Sequence, residues 1–238
     1  MRQLKLKMNQ AESYKKQARH LLSVECVIFG YEDEQLKVLL CPRGFSPSYG
    51  QWALLGGFAR ANETLDDAAR RILLNSMGLS NIFQEQVYTF SHLNRDPVER
   101  VIGVAYYALI KINQHDKELV REHCAHWWPI NKLPQLAFDH YDMVMAALKA
   151  LQRKATIELV GKDLLDDLFT LSELKKLYES IFQKEFDTSN FRKKILSMDI
   201  LEKTNKKDKN DSRRGAYYYK FKPDEEINYK KNEILVRI

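Results

Sequence analysis

The 238-residue sequence contains three cysteines, Cys26, Cys41 and Cys124, in no regular pattern. Such a set builds no disulfide framework. Cys26 and Cys41 border apolar runs and are expected to be small buried side chains. His123, Cys124 and His126 lie close together, but no second ligand cluster accompanies them, so no metal site and no cofactor are expected. Long apolar runs are also missing: nothing approaches the ~18 to 20 residues of a membrane span. Met1–Arg19 is basic and polar and lacks the apolar core of a signal peptide. The expectation is a cytoplasmic protein without a membrane partner. Internal repeats are absent. With 45% apolar and 29% charged residues, the chain is not a disordered one.

The positive charge is unevenly placed. Between Asp187 and Lys222 stand eleven Lys or Arg against five acids, an excess equal to the net charge of +6 for the whole chain, so the remainder is neutral. A cationic footprint confined to one segment suits a polyanion-binding surface there, the alternative being a merely solvated charged hairpin.

Two parts are legible. Ser23–Gly30 and Leu36–Leu40 are apolar runs joined by an acidic turn and predict buried strands. Leu65–Met77 carries a helical apolar face, with Gly78 as its C-cap. Val87–Phe90, Val101–Ile112 and Trp127–Ile130 predict further strands, and Tyr141–Leu151 a helix. This is an α/β unit over 20–151, preceded by a basic segment, 1–19. Residues 152–162 have no strong period and are expected to link two domains. Over 163–222, Thr170–Gln183 predicts a helix whose Thr170 and Glu173 form a capping box, and Thr188–Met198 a second one capped by Asp187 or Thr188. Strands Ile200–Thr204 and Ala216–Phe221 flank a polar loop, Asn205–Gly215. Helix, short turn, basic helix and hairpin is the order of a winged helix-turn-helix. The tail, 223–238, is charged and gives no structural signal.

Gly57, Glu63, Arg71, Gly78 and Leu79 stand at the spacings of the Nudix box, within a strand-loop-helix context, behind Gln51–Gly57 and with Arg43 after the second strand. The unit therefore resembles the Nudix superfamily, which implies an α/β/α sandwich around a mixed sheet. In that box, carboxylates at i, i+3 and i+4 share one helix face and grip Mg²⁺, which activates water. Here those positions are Ile72, Asn75 and Ser76. Glu63 is left alone, and no catalytic residue is assigned. A hydrolase could still draw carboxylates from Asp66, Asp67 or Glu99. The other reading is a cleft that binds a ligand without consuming it.

In a helix-turn-helix the second helix enters the major groove by its N-terminal residues. Those are Ser189, Asn190, Arg192, Lys193 and Lys194; Asn suits adenine and Arg guanine. Phe191, Ile195 and Leu196 are expected to pack inward. Lys206, Lys207, Lys209, Arg213 and Arg214 of the wing would meet phosphates or a minor groove. The pairing of the two units is similar to that in the Nudix-related transcriptional regulators of the NrtR type. Its markers are Leu136–His140, Phe169–Leu174, Tyr178-Glu179, Asn190–Lys194 and Arg213–Ala216. The resemblance implies a homodimer that binds a palindromic double-stranded DNA operator and answers a small-molecule effector.

Some branches of that family sense ADP-ribose and others sugars, notably arabinose. Asn94–Val101 and Ala105–Leu109 look more like the sugar branch, which places a sugar such as L-arabinose first and ADP-ribose second. The expected effector-binding residues are Arg43, Trp52, Arg95, Asp96, Glu99 and Arg100: the mixed charges of Arg95, Asp96, Glu99 and Arg100 and the aromatic platform of Trp52 suit a neutral sugar, whereas a nucleotide diphosphate would draw on Arg43, Arg71, Arg95 and Arg100. The other reading of Arg95–Arg100 is a polar turn held by its own ion pairs. The rival class is a nucleoside-diphosphate-linked hydrolase with a basic C-terminal interaction domain.

Overall fold

Strand β1 (Leu21–Glu32) alternates its apolar side chains between two layers: Val24, Cys26 and Ile28 enter one core, Val27 and Phe29 the other. A strand buried on both faces reads as a continuous apolar run, the pattern of 23–30. The computed structural model describes residues 13–78, 82, 84–112, 124–208 and 215–223. β1 runs parallel to β6 (Val101–Lys111) from Leu21↔Val101 to Tyr31↔Lys111. Its other edge pairs with β2 (Gln35–Pro42) and, at the Ser23–Cys26 end, with β4 (Leu55–Phe58). β3 (Trp52–Ala53), β5 (Gln84–Phe90) and β7 (His126–Pro129) complete a mixed sheet of order β3-β2-β1-β6-β5, with β4 on β1 and β7 on β2.

Helix α1 (Leu65–Met77) covers one face and α2 (His140–Ile157) the other. α1 starts at a capping box between Thr64 and Asp67 and stops at Gly78, whose φ of 64° is the left-handed conformation that glycine adopts without a Cβ clash. The C-terminal unit has β8 (Phe169–Thr170), α3 (Leu171–Phe182), α4 (Thr188–Ser197), β9 (Leu201–Asp208) and β10 (Ala216–Phe221), with sheet order β8-β10-β9. This is the expected architecture: a Nudix-like sandwich followed by a winged helix.

Several details differ. Residues 152–162, expected to be a linker, continue α2 to Ile157 and then form a 3-10 turn, Val160–Asp163. Leu151, Ala155, Leu159 and Val160 are buried in one apolar core that runs from Phe29 of β1 to Phe191 of α4. Tertiary burial holds this stretch in place where its own periodicity is weak. Leu196 is 42% exposed: it sits five residues, about 140°, from Phe191 round the helix. Cys41 is half-buried and Cys124 exposed, while Cys26 is buried as expected. β9 extends four residues beyond Thr204 because its ladder with β10 continues to Asp208↔Ala216. Segments 1–12, 209–214 and 224–238, which include the wing residues Lys209, Arg213 and Arg214, lie outside the described residues, as do Leu79 and His123.

Candidate functional site

The Nudix loop keeps its scaffold. Arg71 on α1 donates to both carboxylate oxygens of Glu63, at 2.9 and 2.6 Å, and to the Phe58 carbonyl at 3.1 Å. The guanidinium pulls the Glu63 carboxyl down to about 2. Both residues are spent on holding loop to helix. Ile72 is buried, and a Cβ added at Gly57 would lie 3.7 Å from its side chain. Asn75 is exposed and Ser76 half-buried. The three spare carboxylates are used or remote. Asp66 accepts from Tyr106 Oη at 2.6 Å, Asp67 caps α1 and pairs with Arg70, and Glu99 is exposed away from the cavity described next. Among the described residues no group of three His, Cys, Asp or Glu side chains could hold a metal ion.

A cavity of about 200 Å³ opens beside this loop. One wall is Ser23 and Glu25 of β1; Arg43 and Phe45 follow β2, and Phe138 and His140 stand at the start of α2. Arg95 forms its charged base. Its guanidinium lies flat over β6, and a Cβ at Gly103 would come within 2.7 Å of it. It makes a two-pronged pair with Asp139, at 2.9 and 2.8 Å, and stands 3.8 Å from Glu25. Ser23 Oγ donates to Glu25 Oε1 at 2.6 Å. Burial pushes the Glu25 carboxyl up to about 7, against the lowering pull of the Ser23 hydrogen bond and of Arg95. His140 Nδ1 accepts from the Leu54 N–H at 3.0 Å, which leaves the ring proton on Nε2. Burial holds this imidazole down at about 4, so it is neutral.

The expected effector residues separate. Arg43, Arg95 and Asp96 line the cavity; Trp52, Glu99 and Arg100 do not. Trp52 packs edge-on against His126 and Trp128, and its carbonyl accepts from Ala137 N. Arg100 donates to the His92 carbonyl, and Asp96 accepts from Val98 N. Arg43 donates its Nε–H to the Pro47 carbonyl at 2.7 Å and stacks its guanidinium over Phe45 and Phe138, 4.1 and 4.8 Å from the ring centroids. Among the described residues it has no carboxylate partner. Phe138, at a φ of 50°, is a non-glycine residue held in left-handed backbone. Sequence reasoning gave no role to Glu25 or Phe45, and Asp139 and His140 entered it only as part of the Leu136–His140 marker. Glu25 did carry a signal, since it is an acid in the middle of an apolar strand.

The basic surface is built on α3 and α4. Thr170 and Glu173 form the expected capping box, and Asp187 caps α4 by accepting from Asn190 N at 2.8 Å. Glu179 Oε1 accepts from Phe186 N at 2.7 Å and fixes the intervening turn. Phe191 and Ile195 anchor α4, while Ser189, Asn190, Arg192 and Lys193 are exposed and Lys194 is half-exposed. Lys207 is exposed on β9, where it and Lys203 lie over the Tyr217 ring, at 4.6 and 3.5 Å. Lys220 and Lys222 are paired with Glu202 and Asp199.

Residues 19–147 match the NUDIX domain and residues 161–221 the NrtR DNA-binding winged helix domain. The chain is 30% identical over 205 residues to the ADPR responsive transcriptional repressor NtrR of Acinetobacter baylyi, covering 84% of this chain and 82% of that protein. It is similar to the crystal structure of Shewanella oneidensis NrtR complexed with a 27mer DNA, with a TM-score of 0.73 and 33% identity, over 85% of this chain and 94% of the other. A MutT/nudix family protein from Enterococcus faecalis aligns with a TM-score of 0.64 and 25% identity, over 91% and 99%.

Proposed function

Since the chain belongs to the Nudix family and joins its Nudix domain to the NrtR DNA-binding winged helix domain, we propose that it is a transcriptional regulator that binds ADP-ribose in the Nudix cavity, without hydrolysing it, and thereby changes its affinity for DNA. The observation that carries this reading is the preserved cavity beside a box whose metal-ligand positions hold Ile72, Asn75 and Ser76. One carboxylate, already paired with Arg71, does not build a Mg²⁺ site. The exposed residues of α4 support the DNA half, as does the likeness to a repressor and to a protein crystallised with DNA.

ADP-ribose takes first place over the sugar expected from residues 94–101. The relative's responsiveness to ADPR supports it. So does the placement of the side chains: Trp52, Glu99 and Arg100, three of the five invoked for a neutral sugar, lie outside the cavity, while Arg43 stands in its wall with no ion-pair partner among the described residues, suited to a phosphate. One copy offers one recognition helix, so a homodimer on a palindromic operator, with half-sites about 34 to 36 Å apart, completes the proposal.

The test uses the full chain. Duplexes that it binds are selected from a randomised pool, and ADP-ribose is titrated into the complex. Operator affinity is expected to change about 5- to 150-fold, the usual range of coupling. Hydrolysis of ADP-ribose with Mg²⁺ at rates on the order of 1 s⁻¹, or binding that leaves DNA affinity untouched, would overturn the reading.

A further inference from the structure

Glu25 is the side chain of the cavity that the fold itself does not explain. It sits on the central strand with its side chain 8% exposed. Oε1 accepts from Ser23, but Oε2 is buried with no hydrogen-bond partner among the described residues. Its charge is not needed by Arg95, because Asp139 already occupies that guanidinium with two bonds, while Glu25 stands off at 3.8 Å. A buried acceptor with an unmade bond is costly, and a buried carboxylate more so. An apolar residue at position 25 would serve the sheet better, as Val27 and Phe29 do on the same face.

Resting on the reading of this cavity as the effector site, we propose that Glu25 Oε2 is the cavity's selector, accepting a hydrogen bond from a neutral O–H or N–H group of the effector. The neighbouring groups fit such a partner. His140, neutral and with its proton on Nε2, offers a donor in the same cavity, so these two side chains present one acceptor and one donor. A sugar hydroxyl, which both donates and accepts, matches the pair. A phosphate, which only accepts, is repelled by the ionised form of Glu25, the form that a ligand donor favours, and belongs instead at Arg43. The volume of about 200 Å³ suits one ring of an effector rather than a whole dinucleotide-sized molecule. The donor can come from a ribose hydroxyl or from the exocyclic amine of a nucleobase, and the ligands of the experiment separate the two.

Calorimetry on the full chain and on Glu25→Gln and Glu25→Leu, with ADP-ribose, ribose 5-phosphate and adenine, tests the proposal. ADP-ribose should bind Glu25→Leu about 10- to 100-fold more weakly than wild type, and Glu25→Gln should lie between them. Without ligand, Glu25→Leu should melt close to wild type, since removal of the unpaired Oε2 offsets the hydrogen bond that Ser23 loses. A merely structural Glu25 would give a lower melting temperature and an unchanged affinity per folded molecule. A loss repeated with ribose 5-phosphate assigns the sugar as donor, and one repeated with adenine assigns the base. Equal ADP-ribose affinity in all three proteins overturns the role of Glu25 and leaves the effector reading standing. Failure of the wild type to bind ADP-ribose overturns the effector reading first.

Discussion

At Gly103 the cavity depends on a missing methyl group. The Arg95 guanidinium occupies the space that a Cβ would need. Gly103→Ala should push it off Asp139 and leave charges buried without partners, at a cost of about 3 to 5 kcal/mol; chemical denaturation measures this. An unchanged midpoint would mean that Arg95 finds a second seat. His140 gives a pH signature. Its folded-state pKa is depressed, so its contribution is fully present above about 6.5 and is lost as pH falls through about 4. Glu25 has the opposite sign: raised to about 7, it contributes below about 4.5 and is lost as pH rises through 7. In His140→Asn, which can keep an acceptor for Leu54 N, the gap in stability from wild type should move by roughly 3 kcal/mol in favour of the variant between pH 7.5 and 4. A constant gap would remove His140 from the acid response. None of this was legible beforehand, because the partners of Arg95 and of His140 lie 44 and 86 positions away. Nothing local announces such pairs. The nearest clue was Glu25, a charge amid apolar neighbours.

Elements were read more easily than sites, and the reason is locality. Gly78, Thr170 with Glu173, and Asp187 act within one helical turn, so the end of α1 and the starts of α3 and α4 could be bounded from the chain alone. β9 runs past the Thr204 end that the sequence predicts because its outer half is polar and is held by pairing with β10 rather than by burial. These two elements should contribute differently to DNA binding. Arg192, exposed near the start of α4, is expected to read a base, so Arg192→Ala should cost about 1 to 3 kcal/mol and relax preference at one position. Lys207 on β9 should act on phosphate, so Lys207→Ala should weaken all sequences alike and reduce the salt slope by about one. Gel shifts over a salt series separate the two effects. Equal behaviour of both variants on matched and mismatched duplexes would deny α4 its reading role.

On the scale of the whole chain, the sequence predicts two domains and a linker, whereas the apolar core passes from Phe29 and Leu40 through Leu151 and Val160 to Leu177 and Ile195 without a break. Gln152 Nε2 also donates to the Ile181 carbonyl at 2.9 Å, and Lys176 pairs with Glu34 across the junction. Calorimetry should therefore record one unfolding transition. Leu177→Ala, a truncation in the shared core, should lower it as a unit, by about 2 to 5 kcal/mol. Two resolved transitions, with only the second one moved, would make the halves independent. The junction also bears on modularity. Residues 148–160 fall between the two family matches, yet Leu151, Ala155, Leu159 and Val160 are core to both sides. A cut before them strips the Nudix half of part of α2, and a cut after them leaves the winged helix with a bare apolar seat. Both cuts divide one apolar core, so the unit that could be exchanged for engineering without opening that core is the exposed face of α4.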